Sequence, residues 1–222
     1  MKEYSLFDIL GPIMIGPSSS HTAGAERLGR AAKQIAGEGI QSVIFYLHGS
    51  FAKTYKGHGT DRALIAGILG METYDERIKD SFEIAQKQGI GIEFVEADLG
   101  DVHPNTVKIV ITKDDSTTVS VTGSSIGGGN IVIINIDGDD VEFTGNYPVI
   151  LIKHIDKRGM ISKISFALAM NEINIATLKV SRVLKGDVAT TVVETDSNVT
   201  STVLEEISTI DSVVSVRAVN RI

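Results

Sequence analysis

The order of apolar patterns in residues 149–222 constrains the fold more than any other feature of this chain. Four runs rich in β-branched residues predict strands, at 149–155, 173–183, 188–193 and 213–219. Two segments, 161–171 and 199–207, repeat apolar residues with helical spacing. Lys185, Gly186 and Asp187 indicate a hairpin between the second and third strands. The resulting order βαββαβ predicts a ferredoxin-like domain, with two helices on one face of an antiparallel sheet.

The preceding part of the chain predicts a second domain of mixed structure. Three segments have a helical period: 22–35, where Ser20 or a neighbour is the candidate N-cap, 61–69 and 76–88. Six segments are extended in pattern: 42–47, 91–95, 106–112, 117–122, 131–136 and 141–144. Because strands and helices are segregated rather than alternating, the pattern favours an α+β fold over a doubly wound sheet.

A change in charge supports the division into two domains. Residues 1–148 carry 12 basic and 20 acidic side chains, a net charge of −8, whereas residues 149–222 carry 9 and 8, a net charge of +1. The intervening Gly-Asn-Tyr-Pro stretch, 145–148, has the residues that end regular elements. We therefore predict one domain over 1–146 and another over 147–222.

Composition excludes several classes of protein. The chain has no cysteine, so it cannot by itself hold a disulfide, a thiolate nucleophile or an iron–sulfur cluster. No run approaches about 18 apolar residues, and the N-terminal MKEYSLFDIL lacks the pattern of a secretory signal. The net charge of −7 argues against nucleic-acid or anionic-membrane binding. These features predict a cytoplasmic protein.

The segment GPSSSHTAGAERLGR, 16–30, is the first candidate binding site. Its hydroxyls and imidazole precede a predicted helix, where unpaired N–H groups and the helix dipole favour a carboxylate or phosphate. The hydroxyl donors are Ser18, Ser19, Ser20 and Thr22. A serine-rich loop with a single capping serine explains the same pattern. The presence of His21 among four hydroxyls favours the binding site.

The second candidate segment is LHGSFAKTYKGHGTDRALIAGILG, 47–70. A strand is predicted to end at His48, and a loop then leads to a helix near Thr60 or Asp61. Glycines flank His58, so the backbone there can approach a ligand, and an imidazole in that setting can carry protons near neutral pH. The alternative is a solvated loop without a role for His58, and Lys56 is expected to be solvated rather than a Schiff-base lysine.

Two further segments have weaker signals. In DVHPNTVKI, 101–109, Pro104 predicts a turn, and Asn105 can bind either a carboxylate or its own backbone. GSSIGGGNI, 123–131, lacks the lysine of a phosphate loop and predicts a tight β connection with positive φ angles. The residues alone thus indicate an α+β protein with an anion site and candidate acid–base histidines.

Taken together, GPSSSHTAGAERLGR, HGS with KGHGTDRA, HPNT and SIGGGNI resemble the β chains of iron–sulfur-dependent L-serine dehydratases (L-serine ammonia-lyases). The N-terminal domain is also similar to the allosteric substrate-binding domain of some phosphoglycerate dehydrogenases. The C-terminal pattern, with HIDKRGMI and NEINIATL, resembles an ACT regulatory domain. The resemblance spans nearly the whole chain.

The resemblance implies a reaction and a partner. Family members dehydrate L-serine, and the aminoacrylate formed hydrolyses to pyruvate and ammonia, a step in amino-acid degradation and gluconeogenesis. A [4Fe–4S] cluster with one incompletely ligated iron acts as the Lewis acid. Its cysteines lie in the α part, which is a separate chain in some bacteria. The resemblance therefore implies that this cysteine-free chain needs a cysteine-bearing α chain.

The resemblance also implies roles for individual residues. His58 is the first choice for the base that removes the α-proton of serine, and His21 is the second. Substrate binding is assigned to Ser18, Ser19, Ser20, Thr22, Lys56, Thr60 and Asn105. In the ACT domain, His154, Asp156 and Asn174 are the candidate effector-binding residues, and the alternative is a domain that only dimerises. An exposed sheet edge predicts self-association.

Two alternatives belong to other classes of protein. The runner-up is a stand-alone sensor that binds serine or a small organic acid with both domains and regulates another enzyme. A pyridoxal-phosphate enzyme is disfavoured because the long catalytic domain of such enzymes is missing.

Overall fold

A computed structural model of the chain describes residues 13–222. The segment MKEYSLFDIL, which we interpreted as lacking a secretory signal, lies outside the described residues. The chain divides into two compact units, the first ending at Gly138 and the second running from Asp139 to Ile222. A strand at Asp139–Phe143 falls within the second unit. The domain boundary after residue 146 stays a prediction.

The first unit combines helices with a mixed sheet. Its elements are α1 (Gly24–Ala36), β1 (Ile40–Leu47), α2 (Gly49–Thr54), α3 (Thr60–Ile68), α4 (Ser81–Lys87), β2 (Gly91–Glu96), β3 (Thr106–Lys113), β4 (Thr118–Gly127) and β5 (Asn130–Ile136). Within this unit the strands lie in the order β2-β1-β3-β4-β5. The strands β1 and β2 are parallel, as their helical connection allows, and the remaining pairs are antiparallel.

Apolar periodicity explains how these elements pack. In β3, alternate residues Val107, Ile109 and Ile111 are buried, as expected for a strand with one face on a core. The helix α1 buries Leu28 and Ile35 on one face and lies against α3 and β4. The helix α1 therefore packs through the apolar residues that recur with helical spacing on one of its faces.

Two glycines allow α1 and α3 to cross at very short range. A Cβ atom at Gly29 would lie 2.3 Å from the carbonyl oxygen of Leu64, and one at Gly67 would lie 2.1 Å from the carbonyl oxygen of Glu26. Both distances are far below van der Waals contact. Any side chain at either position would force the two backbones apart.

From residue 149 onward, the second unit is built as the sequence predicts. Its elements are β6 (Asp139–Phe143), β7 (Val149–Ile155), α5 (Met160–Met170), β8 (Ile175–Arg182), β9 (Val188–Thr195), α6 (Ser201–Ser208) and β10 (Val213–Val219). Four strands form an antiparallel sheet in the order β10-β7-β9-β8. Ile152, Val193, Ile164 and Ile207 join sheet and helices in one buried core. This arrangement confirms the ferredoxin-like prediction.

The predicted loop after β1 is wrong for residues 49–54, which form the short helix α2. The segment has no apolar period, but Phe51 is fully buried, and the N–H of Ser50 donates to the carbonyl of Pro104 at 2.8 Å. Tertiary contacts therefore stabilise a helix too short for sequence patterns to reveal. The predicted helix 76–88 is also divided, into a 3₁₀ helix at Glu76–Asp80 and α4.

No helix within residues 13–222 is long and apolar enough to cross a membrane.

A buried carboxyl group lies on α1. Glu26 is 0% exposed, and neither of its side-chain oxygens accepts a hydrogen bond from a described residue. Arg30 Nε lies 3.2 Å from Glu26 Oε1, and the same guanidinium contacts Glu72. Burial raises the pKa of Glu26 from 4.5 to about 8, and Arg30 only partly opposes this shift. The protonated form of Glu26 is therefore favoured near neutral pH.

The helix crossing gives the first prediction. Gly67→Ala should lower the free energy of unfolding by about 2 kcal/mol or more, because its Cβ meets a backbone oxygen that cannot move away. This loss outweighs the roughly 1 kcal/mol that alanine gains in helix propensity. Urea denaturation of the parent and the variant measures the net change in the free energy of unfolding. Gly57→Ala is the control, since the nearest atom to a Cβ there is 3.8 Å away. An equal effect of the two substitutions would contradict the packing argument.

The pKa of Glu26 gives the second prediction. The folded state binds the proton of Glu26 more tightly than the unfolded state, so the free energy of unfolding should fall as pH rises from about 4.5 to about 8. Glu26→Gln removes this loss, and its stability relative to the parent should increase by on the order of 3 kcal/mol across that range. Urea denaturation at pH 5 and pH 8.5 tests this. A pH-independent difference would refute it.

Candidate functional site

The first unit brings the two candidate histidines, 37 residues apart in the sequence, into ring contact. The centroids of His21 and His58 are 5.0 Å apart, with the ring planes at 63°. Phe51 of α2 contacts His21 from another side, at 5.3 Å and 71°. The two segments that the sequence singled out therefore form one site.

Hydroxyl groups engage both ring nitrogens of His21. Its Nδ1 lies 3.0 Å from Ser20 Oγ, and its Nε2 lies 3.0 Å from Ser50 Oγ. A serine hydroxyl can donate or accept, so both serines suit an imidazole that donates from one nitrogen and accepts at the other. The orientation of the ring is thus fixed from two sides.

The local backbone explains why His21 points in this direction. A π-helical turn, Ser19–Ala23, precedes α1, and Ser18 is its extended N-cap residue. Ser18 Oγ accepts a hydrogen bond from the N–H of His21 at 3.2 Å and lies 3.3 Å from Ser20 Oγ. Ser18 therefore caps the π-helical turn, whereas Ala23, the N-cap residue of α1 itself, makes no side-chain cap hydrogen bond. Ser19 contributes its carbonyl, which accepts from the N–H of Gly24.

Burial lowers the pKa of His21 from its ordinary value of 6.5, and the neighbouring His58 lowers it further. A lowered pKa keeps the ring of His21 uncharged near neutral pH. An uncharged imidazole that is already hydrogen-bonded on both nitrogens is well suited to orienting other groups.

A second set of contacts fixes the backbone around His58. Thr22 Oγ1 donates to the carbonyl of His58 at 3.1 Å, and the N–H of His58 donates to the carbonyl of Thr54 at 3.1 Å. The imidazole of His58 is exposed. Thr60, at the start of α3, is fully buried, and its hydroxyl has no hydrogen-bond partner among the described residues.

The HGS and HPNT motifs meet at the start of α2. Gly49 has a φ of +55°, and a Cβ atom there would lie 2.7 Å from the carbonyl oxygen of Pro104. The predicted turn at Pro104 is confirmed. The carbonyl of Asn105 accepts from the N–H of Ser125 at 2.9 Å, so the backbone of Asn105 connects this turn to β4.

The glycine-rich hairpin also lies beside the start of α1. Gly127, Gly128 and Gly129 all have positive φ, as the sequence predicts. Arg27 donates to the carbonyl of Gly129 at 2.8 Å. The structure therefore brings all four singled-out segments together around the π-helical turn.

The predicted substrate-binding lysine contacts a neighbouring aromatic ring. Lys56 is exposed, and its ammonium group lies 5.6 Å from the ring centroid of Tyr55.

The predicted effector residues of the second unit each have protein partners. His154 is 2% exposed, and its Nδ1 donates to the carbonyl of Ile155 while Nε2 lies 2.9 Å from Thr191 Oγ1. Asp156 accepts from the N–H of Gly186 and contacts Arg182, and these two contacts lower its pKa in that order. Asn174 donates to Asp196 at 2.6 Å. Effector binding stays a prediction.

Sequence reasoning missed the contribution of Ser50 and Phe51. Both lie in the segment that contains HGS, but neither residue type signals a role by itself. The available signal was the position of Ser50, directly after the end of a strand and a glycine. Its importance becomes visible only in the tertiary contact with His21.

The residues of this chain do not fit an iron–sulfur cluster. The sequence contains no cysteine, and residues 13–222 contain no group of three or more His, Asp or Glu side chains arranged to hold a metal ion.

Comparisons with known proteins agree with this organisation. Residues 5–135 match the family described as serine dehydratase beta chain, and residues 148–211 match the ACT domain family. The chain is 26% identical over 198 residues to a D-3-phosphoglycerate dehydrogenase of Bacillus subtilis, covering 88% of this chain and 37% of that protein. The predicted similarity to phosphoglycerate dehydrogenases is thereby confirmed.

Two relatives match over most of their length. The chain is 46% identical over 216 residues to the "Probable L-serine dehydratase, beta chain" of Bacillus subtilis, covering 97% of this chain and 98% of that one. It is 48% identical over 201 residues to the "L-serine dehydratase, beta chain" of Peptoniphilus asaccharolyticus, covering 90% of each. The chain, with its C-terminal ACT domain, belongs to the L-serine dehydratase beta chain family.

Proposed function

We propose that this chain is the β subunit of a [4Fe–4S] L-serine dehydratase, which converts L-serine to pyruvate and ammonia together with a cysteine-bearing α chain. Membership of the L-serine dehydratase beta chain family supports the substrate. The single observation that carries the chemical role is the ring contact of His21 and His58, surrounded by serine hydroxyls. Such a cluster can bind a carboxylate and move a proton.

In this proposal the partner α chain holds the iron–sulfur cluster. Because this chain has no cysteine, the thiolate ligands must come from the α chain. The residues described above then contribute the proton transfer and the binding of substrate, and no ligand of the cluster.

Within this chain, His58 is the proposed base. The ring nitrogens of His21 are both engaged by hydroxyls, whereas no described residue hydrogen-bonds to the ring of His58. His58 is also the exposed member of the pair, so a substrate can reach it. An imidazole accepts a proton efficiently near neutral pH. His21 remains the second candidate.

The π-helical turn is the proposed seat of the substrate carboxylate. The N–H groups of His21 and Thr22 bond to Ser18, whereas those of Ser19 and Ser20 have no acceptor within residues 13–222 and are candidate donors. The dipole of α1 favours negative charge at this end. The buried hydroxyl of Thr60 has no described partner and is a further candidate donor. Lys56 and Asn105 remain proposed at the edge of the site.

Three points remain predictions of the sequence: a cytoplasmic location, effector binding by the ACT domain and self-association through it. Phe166 and Met170 on α5 are 66% and 64% exposed, which is compatible with self-association.

The partner requirement gives the third prediction. Anaerobic co-expression of this chain with a cysteine-bearing α chain should yield a brown complex that forms pyruvate from L-serine, and neither chain alone should do so. A coupled lactate dehydrogenase assay measures the pyruvate. Serine binding by this chain alone, with an inactive or absent complex, would favour the stand-alone sensor instead.

The acid–base role gives the fourth prediction. His58→Ala in the assembled enzyme should lower kcat by about 10²- to 10⁴-fold and change KM little, because proton abstraction is lost and carboxylate binding is kept. Lys53→Ala, an exposed residue of α2, is the control and should retain parental kinetics. Parental turnover in His58→Ala would remove His58 from the proposal.

A further inference from the structure

The imidazole of His21 is enclosed by side chains from two separate segments. Ser20 Oγ and Ser50 Oγ each lie 3.0 Å from a ring nitrogen, and Phe51 and His58 contact the ring at steep interplanar angles. Ser20 is adjacent to His21 in the chain and moves with it. Ser50 comes from α2, 29 residues away, and is therefore the independent contact.

The backbone of Ser50 is itself firmly fixed. Its N–H donates to the carbonyl of Pro104 at 2.8 Å, and its carbonyl accepts from Thr54 Oγ1 at 2.8 Å. The preceding Gly49 contacts Pro104 so closely that only glycine fits. The neighbouring Phe51 is fully buried. The backbone that carries the Ser50 hydroxyl is thus held in place next to His21.

We infer that Ser50 is a positioning residue, whose hydroxyl fixes the rotation of the His21 ring and so its placement against His58. The inference rests on the proposed function. Without a partner at this ring nitrogen, the imidazole would be freer to rotate about its Cβ–Cγ bond. Hydrogen-bonding partners orient functional imidazoles in this way. Ser50 therefore acts through His21 and not on the reacting atoms.

Kinetics of the assembled enzyme test the inference. Ser50→Ala should lower kcat about 10-fold with KM within about 2-fold, since substrate binding is unaffected. Ser50→Thr keeps the hydroxyl and should restore most of kcat. In a His21→Ala background, Ser50→Ala should cause no further loss, because the contact is already gone. Parental kcat in Ser50→Ala, or losses that multiply in the double variant, would overturn the inference.

Nitrogen-15 NMR of the histidine rings in this full-length chain tests the contact without requiring activity. In Ser50→Ala, the resonance of His21 Nε2 should shift because its hydrogen bond to the hydroxyl is lost, whereas Ser50→Thr should retain the parental shift. Unchanged shifts in Ser50→Ala would overturn the inference. So would changed shifts without any loss of kcat, because the contact would then have no catalytic role. An inactive parental complex would refute the proposed function, and the NMR result would still decide whether Ser50 fixes the ring.

Discussion

The hydrogen bond between His21 and Ser50 is the contact on which the candidate site depends. It joins the π-helical turn before α1 to α2, two segments that the sequence separates by 29 residues. A second hydrogen bond, from Thr22 to the carbonyl of His58, holds the loop between α2 and α3 against the π-helical turn. Because Ser50 is fixed in turn against Pro104, the turn before β3 belongs to the same network. Four segments thus become one site through a few polar contacts.

The architecture could be predicted where apolar periodicity is regular. The βαββαβ order of residues 149–222 follows from the pattern, and the sheet order β10-β7-β9-β8 confirms it. The helix α2 could not be predicted, since its six residues have no apolar period and it is stabilised by the burial of Phe51 and by contact with Pro104. The parallel pairing of β1 with β2 likewise depends on helix packing that no local pattern encodes.

The site could be predicted in part. The motifs around His21 and His58 indicated these two histidines as candidate acid–base residues, because each imidazole lies beside hydroxyls or glycines in the sequence. Their ring contact at 5.0 Å and the contact of His21 with Ser50 are tertiary features and left no signal in the spacing. Glu26 is a similar case. A glutamate on an amphipathic helix is expected to be solvated. Glu26 is nevertheless fully buried, on the helix that crosses α3 closely at two glycines.

In the proposed enzyme, this chain supplies the proton-transferring imidazole to an active site that a partner completes. The most direct measurement is an anaerobic crystal structure of this chain with its α chain and bound L-serine. We expect the imidazole of His58 within about 3–3.5 Å of the α-carbon of serine, with the serine carboxylate at the π-helical turn. The proposal would be contradicted if serine were bound where neither His58 nor His21 can reach its α-proton, directly or through one water molecule.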